Sequence, residues 1–254
     1  MKSEMEKLRE KQQRRRQKRT LRIVLLSPVI AFLFVAVFSL FTRIDSIVIR
    51  NSSIYSATQL YQNLSLSVGD SLFSVKRDLS ETLSVRCPYV KTVSVEYCLP
   101  NRVEIVVTPA AVTYALRTEK EVLLLDEDMK VLEVVDRLPD NVLKIDGVEI
   151  TSYKLGYPLD EDENIQVGVL RRLITSLRQR NLYDHVSVID FSKKYNLAMK
   201  LHGVISVSIG NSEDIEGKLN LLVKLLNEND VTVPAEIRIL NASEGRYSRL
   251  PTEE

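Results

Sequence analysis

Residues 90–108 read VKTVSVEYCLPNRVEIVVT. Val93, Val95 and Tyr97 alternate with Thr92, Ser94 and Glu96, and beyond Pro100-Asn101 the alternation resumes through Val103, Ile105 and Val107. Successive side chains of a strand point to opposite faces, so each run describes a strand with one apolar face. Two such runs around a short turn predict a hairpin. The residues before it complete a unit. Ile44–Asn51 is rich in Ile and Val, which suits a strand. Ser56-Ala57-Thr58-Gln59 has the form of a capping box, in which Ser56 accepts from the Gln59 amide and Gln59 reaches back. Ala57, Leu60, Tyr61 and Leu64 then follow helical spacing, and Leu72, Val75, Leu79 and Leu83 share one face of a second helix. Gly69-Asp70 breaks the chain between the two, and Pro88 stops the second, because the residue before a proline avoids the helical region. Strand, helix, helix, strand, strand predicts a small α+β domain with both helices on one face of its sheet.

Downstream the chain is strand-rich. Val122–Leu125 and Val131–Val135 flank the polar turn Asp126–Lys130. Asp160–Asn164 opens a helix whose apolar positions are Ile165, Val169, Leu170, Leu173, Ile174 and Leu177. Asp160 to Glu163 are four acids in a row, where the helix dipole favours negative charge. Val186–Phe191 and Leu197–Leu201 read as strands. His202-Gly203 is a two-residue connection into Val204–Ile209, the loop length that primed turns favour. Ser212 is placed to cap a helix carrying Ile215, Leu219, Leu222, Val223 and Leu226. Val233–Leu240 is expected as the last strand, at a sheet edge, because Pro234 cannot donate to a ladder.

Upstream of the first domain, Ile23–Phe41 is 19 residues without a charge, preceded by KLREKQQRRRQKRTLR. An apolar helix of this length crosses a hydrocarbon core of about 30 Å, with its backbone satisfied internally. Lys/Arg-rich flanks stay in the cytoplasm, so the rest of the chain is expected outside it. Residues 1–22 hold ten Lys/Arg against three Glu, and the remainder 25 against 31, so the overall +1 conceals a polarised molecule. Beside a membrane span, such a basic segment sets topology and attracts anionic lipid rather than nucleic acid. Val37-Phe38-Ser39 resembles a signal cleavage site, but the run exceeds the roughly 7–15 residues of a signal core, so a retained anchor is expected.

Little catalytic chemistry is available. The two histidines, His185 and His202, have no second ligand at metal-binding spacing. No phosphate loop, dinucleotide fingerprint or Gly-x-Ser-x-Gly occurs. Asp126-Glu127-Asp128 is an Asp-x-Asp, which in a single-span membrane glycosyltransferase holds a divalent cation with a nucleotide-sugar diphosphate; the competing reading is a solvated turn. Cys87 and Cys98 flank a run expected to be a strand, which holds its ends about 25 Å apart. A disulfide needs Cα atoms within about 7 Å, so both are expected as free thiols. Three Asn-x-Ser matches, at Asn51, Asn63 and Asn241, say little in a chain this rich in Asn and Ser.

Taken in order, these parts resemble the FtsQ/DivIB family of bacterial cell-division proteins. The likeness is carried by Ile47-x-Ile49 entering Asn51, Gly69-Asp70-Ser71-Leu72-Phe73, Pro88-Tyr89-Val90 and the Leu99-Pro100-Asn101-x-Val103-x-Ile105-x-Val107 hairpin. Further on it is carried by Leu125-Asp126, Leu138-Pro139 with Ile145-x-Gly147, Gly203-Val204 with Val207-x-Ile209-Gly210, Lys218-Leu219, and Ala235-Glu236-Ile237-Arg238. Pro109-Ala110-Ala111-Val112 departs from the Glu-Arg-Pro common at the family's domain junction. The resemblance implies an α+β chain: a cytoplasmic basic tail (1–22), a transmembrane helix (23–42), a POTRA domain of β-α-α-β-β order (44–112), a larger mixed β domain with flanking helices (113–247) and a disordered tail (248–254).

The resemblance further implies a non-enzymatic scaffold of the divisome, without cofactor or metal. Such a scaffold is expected at the septum and binds bitopic coiled-coil partners of the FtsL and FtsB/DivIC types while regulating septal peptidoglycan synthesis. The physical route is strand addition to an exposed sheet edge. The expected edge is the last strand, with Ala235, Ile237, Arg238, Ile239, Leu240 and, beyond it, Tyr247 as contacts; the competing reading makes Ile237 and Ile239 core residues. On the edge reading, Ile239→Lys weakens capture and spares stability. The alternatives are the glycosyltransferase reading of Asp126 and Asp128 and another POTRA-bearing envelope assembly protein.

Overall fold

The computed structural model describes residues 26–35, 37, 43–50, 54–64, 66–71, 79–98, 101–193, 196–229 and 232–250. Of the expected span 23–42, residues 26–35 and 37 are helical and exposed. No helix among the described residues is long and apolar enough to cross a membrane. The remainder of that run and the basic segment 1–22 lie outside the described residues.

The first unit runs β1 (Ser46–Arg50), α1 (Ala57–Asn63), α2 (Leu79–Arg86), β2 (Val90–Cys98) and β3 (Arg102–Pro109). β3 is the middle strand, antiparallel to β2 and parallel to β1. The helical crossover between β1 and β2 makes the parallel pairing possible. The hairpin forms as its alternation demands, with Val95 opposite Ile105 and Tyr97 opposite Val103. Both halves of the Ser56–Gln59 capping box are present. Leu60, Leu83, Val103 and Ile105 are buried in one core together with Ile44. Leu72 and Val75, expected on the second helix, lie outside the described residues, and that helix is described from Leu79. On the opposite sheet face Glu104 is buried and ion-paired with Arg50. Cys87 and Cys98 are both free; Cys87 precedes β2 and Cys98 is its last residue.

The second unit runs β4 (Tyr114–Arg117), β5 (Val122–Leu125), β6 (Val131–Val135), β7 (Leu143–Asp146), α3 (Ile165–Gln179), β8 (Val186–Asp190), β9 (Leu197–Leu201), β10 (Ile205–Gly210), α4 (Ile215–Glu228), β11 (Ala235–Ile239) and β12 (Gly245–Arg249). One nine-stranded mixed sheet results, in the order β12-β11-β10-β9-β8-β7-β4-β5-β6. The apolar residues of α3 and α4 join the inward residues of β4 to β11 in one core that includes Leu170, Leu173, Leu219 and Leu222. The other face of β4 and β5 is covered by Val112, Val135, Leu138 and Val142 around Ala115, Val122 and Leu124. His202 and Gly203 both have positive φ, 51° and 73°, the pattern a type I′ turn requires.

Four expectations change. Val233–Leu240 is neither the last strand nor an edge: β11 pairs parallel with β10 and antiparallel with β12. The segment 248–254 is not all tail, because Ser248 and Arg249 belong to β12 and Leu250 N–H donates to Pro234 O at 2.9 Å; residues 251–254 lie outside the described set. Asp214, not Ser212, caps α4, accepting from Gly217 N–H. The acids Asp160–Glu163 precede the Asn164 cap of α3 rather than fill its first turn, and Glu161 pairs with Arg171 at 2.6 Å.

The two units meet through the turn between β5 and β6. Lys130, buried, extends its Nζ to Val90 O at 2.8 Å, with Asp126 Oδ2 at 3.9 Å. Tyr89 O–H donates to Glu133 Oε2 at 2.6 Å, and Lys91 pairs with Glu127. Gly156 (φ 80°) sits against α2, where an added Cβ would meet Val85 O at 2.5 Å. Any side chain at 156 would therefore both strain the backbone and force the units apart.

Candidate partner-binding edge

β11 and β12 are joined by the turn that follows Leu240. Leu240 N–H donates to Glu244 O at 2.9 Å, and Asn241 Oδ1 accepts from the N–H groups of Ser243 and Glu244 at 2.8 and 2.9 Å. This is the Asx arrangement that makes Asn a turn former. Hydrogen-bonded pairs alternate along an antiparallel ladder, so the bonds at its two ends set the phase. Arg246 and Ser248 direct their N–H and C=O groups to β11, whereas Gly245 and Arg249 direct theirs away. β12 ends the sheet order, so no further strand follows on that side among the described residues.

The two faces beside this edge differ in chemistry. Gly245 and Tyr247 stand opposite Ile239 and Ile237 on the face covered by α4. A Cβ on Gly245 would lie 3.0 Å from Leu225 and 3.2 Å from Leu221. Leu221 and Leu225 are themselves half-buried, leaving an apolar shoulder on α4 beside β12. On the other face Arg238 stands opposite Arg246, and Glu236 opposite Ser248. Arg238 Nε bonds Glu236 at 2.7 Å, which leaves this face of the rim positive through Arg246.

Of the residues expected to form the edge, Ala235, Ile237 and Ile239 are core side chains, 0%, 0% and 3% exposed. Arg238 is exposed on β11, Leu240 is exposed at the turn, and Tyr247 lies on β12. Gly245, Arg246, Ser248 and Arg249 went unseen because a polar strand carries no apolar alternation. The signal for them was the turn-forming Asn241 just after Ile239.

The other candidate groups have structural employment. Asp126 is 2% exposed, and its Oδ1 accepts from the N–H groups of Asp128 and Lys130, both at 2.9 Å. It holds the β5–β6 turn in shape, and Asp128 faces Lys91 at 3.7 Å. No group of three or more His, Cys, Asp or Glu among the described residues is placed to hold a metal. The histidines, 17 positions apart in sequence, stack with ring centroids 4.3 Å apart, and His202 N–H donates to His185 O at 2.8 Å. Burial, then the neighbouring His185, lower the His202 pKa below 6.5. The folded state thus favours the neutral ring, and this stabilisation is present above the unfolded value and lost as pH falls through the lowered folded value. The expected outcome is a shallower fall of thermal midpoint on acidification for His202→Asn than for the parent. Asn tolerates the left-handed backbone, and calorimetry across the weakly acidic range measures the difference.

Residues 42–108 match the model of the POTRA domain, FtsQ-type. The chain is 23% identical over 157 residues to the cell division protein DivIB of Clostridium tetani, covering 61% of this chain and 59% of that protein's length. It is 24% identical over 186 residues to DivIB of Clostridium acetobutylicum, covering 72% and 73%. The major extracytoplasmic domain of DivIB from Geobacillus stearothermophilus is similar at a TM-score of 0.27 and 13% identity, over 48% of this chain and 98% of that one. The β-α-α-β-β unit thus lies within the residues that match the FtsQ-type POTRA domain, and over 61–72% of its length the chain is similar to the DivIB cell-division proteins of two Clostridium species.

Proposed function

We propose that this protein is a non-enzymatic scaffold of the divisome that captures FtsL-type and FtsB/DivIC-type partners by strand addition at β12, and through them regulates septal peptidoglycan synthesis. The apolar run 23–42 anchors it in the cell membrane, with the basic segment 1–22 against anionic lipid on the cytoplasmic side and both folded units outside, at the septum. It uses no catalytic residue, cofactor or nucleic acid. The observation that carries this reading is the terminal position of β12, whose Gly245 and Arg249 backbone groups point outward beside the apolar shoulder of Leu221 and Leu225. An added strand gains main-chain hydrogen bonds along β12 and specificity from its alternate side chains: apolar ones over Leu221 and Leu225, acidic ones toward Arg246. Arg238 and Tyr247 flank the same edge, while Ala235, Ile237 and Ile239 support it from the core.

Arg249→Pro tests it. Proline removes the outward N–H and blocks a pairing strand, yet spares the ladder to β11. Tagged full-length chain, purified with the two partners co-expressed, is expected to lose both on this substitution with its thermal midpoint unchanged. Undiminished capture by the Arg249→Pro variant overturns the β12 assignment.

A further inference from the structure

We infer that the end of the POTRA unit carrying Arg43, Val68, Tyr97 and Arg102 is itself a lipid-binding surface, seated on anionic headgroups of the bilayer. The inference rests on the proposed reading of residues 23–42 as a membrane span. Ile44 is 1% exposed and belongs to the POTRA core. Its neighbours are bonded into the domain on both sides: Ile44 N–H donates to Asp70 O and Gly69 N–H to Ile44 O, both at 2.8 Å, and Asp45 N–H donates to Asn101 O at 2.7 Å. Arg43 bridges to Ser71. The folded unit therefore begins at Arg43, two positions after Phe41, the last residue of the apolar run.

Chain length then decides the geometry. Three fully extended residues reach about 11 Å, so Ile44 lies within that distance of the hydrocarbon. The headgroup layer on each side of a bilayer is about 5–8 Å thick. A tether this short leaves no room for a solvent gap, and the domain end that holds Ile44 must meet the headgroups. Four of the side chains exposed there suit that contact, whereas the exposed Asp45 between Ile44 and Ser46 opposes it. Tyr97, 53% exposed, and Val68, 55% exposed, are apolar surface that solvent alone would disfavour. Tyrosine favours the interface because its ring is apolar and its hydroxyl polar. Arg43 and Arg102 are exposed beside them, and Arg102 pairs in register with Cys98 and Ser46 at the same sheet end. Cations near an anionic surface add attraction that salt screens.

The chain contains no tryptophan, so a single introduced one reports its own surroundings. Full-length Tyr97→Trp, Val68→Trp, Phe32→Trp and Tyr157→Trp variants are placed in nanodiscs of phosphatidylcholine and phosphatidylglycerol, with bromine carried either just below the headgroup or deep in the chain. Tyr97→Trp and Val68→Trp are expected to be quenched and blue-shifted with shallow bromine. Phe32→Trp is expected to be quenched by deep bromine, and Tyr157→Trp, on the second unit, by neither. Adding Arg102→Glu to Tyr97→Trp is expected to reduce its quenching in discs with phosphatidylglycerol and leave it unchanged in phosphatidylcholine alone. If Phe32→Trp is quenched while Tyr97→Trp and Val68→Trp are not, the span stands and the docking surface is overturned. Without quenching of Phe32→Trp, the span reading fails and the surface with it. Equal quenching of Tyr157→Trp also overturns it, since lipid contact would then not be confined to this end.

Discussion

Ile239→Lys collapses the second unit. Ile239 is 3% exposed, on a strand paired on both sides, with α4 packed over its face. The substitution removes a fully buried aliphatic side chain, a loss of about 2–5 kcal/mol when truncated. It also drives an ammonium into a place with no counter-charge, a further cost of several kcal/mol. Domains are stable by about 5–15 kcal/mol in total, so the loss consumes most of that margin. The measurement is thermal unfolding beside Arg246→Glu, a change on the neighbouring edge strand that inverts the rim charge and leaves the stability within about 0.5 kcal/mol of the parent. An unchanged midpoint for Ile239→Lys would mean that β11 is an edge after all. The original expectation, capture lost with stability spared, passes from Ile239 to Arg249.

Lys130→Met uncouples the two folded units. Lys130 is contributed by the β5–β6 turn, but its closest acceptor, Val90 O at 2.8 Å, belongs to the POTRA sheet. Burial lowers the lysine pKa, and Asp126, 3.9 Å away, opposes the shift. Methionine keeps the apolar stem and deletes the charge. It strands the buried Asp126 carboxylate and an unsatisfied carbonyl, and breaking such a buried pair from one side costs about 3 kcal/mol. The expected calorimetric signature is a single unfolding transition that splits in two, with the POTRA unit melting independently. Lys130→Met combined with Asp126→Asn should recover part of the loss, because the stranded charge is then gone. One undivided transition in Lys130→Met would show that Tyr89–Glu133 and the Gly156–Val85 contact suffice for coupling.

The POTRA unit was legible because each local preference agrees with the final fold. The hairpin alternates, and Ser56 and Gln59 close their box; in the second unit His202-Gly203 likewise makes the turn its residues favour. Three strands of the second unit escaped notice for physical reasons. β4 (YALR) and β7 (LKID) have only four residues each and, unlike the equally short but wholly apolar β5 (VLLL), no unbroken apolar run to mark them. β12 has exposed polar positions with no apolar rhythm, so Pro234 alone marked an edge and pointed one strand too early. Asp214 outranked Ser212 as a cap because it adopts a left-handed backbone, φ 46°, that a spacing rule does not foresee. The histidine stack and the Lys130–Val90 bond join residues 17 and 40 positions apart. No window of local sequence contains either.

Strand order also has a consequence for synthesis. β12 is the last described strand to leave the ribosome, and it covers an edge, β11, whose inward side chains are isoleucines. A chain halted before Gly245 would leave β11 with an open ladder beside Ile237 and Ile239, an aggregation-prone arrangement. Such a chain would also lack the edge proposed for capture. Competence to recruit a partner would thus arise only after every other strand of the sheet has been made, so that incomplete molecules are excluded from assembly by their own topology.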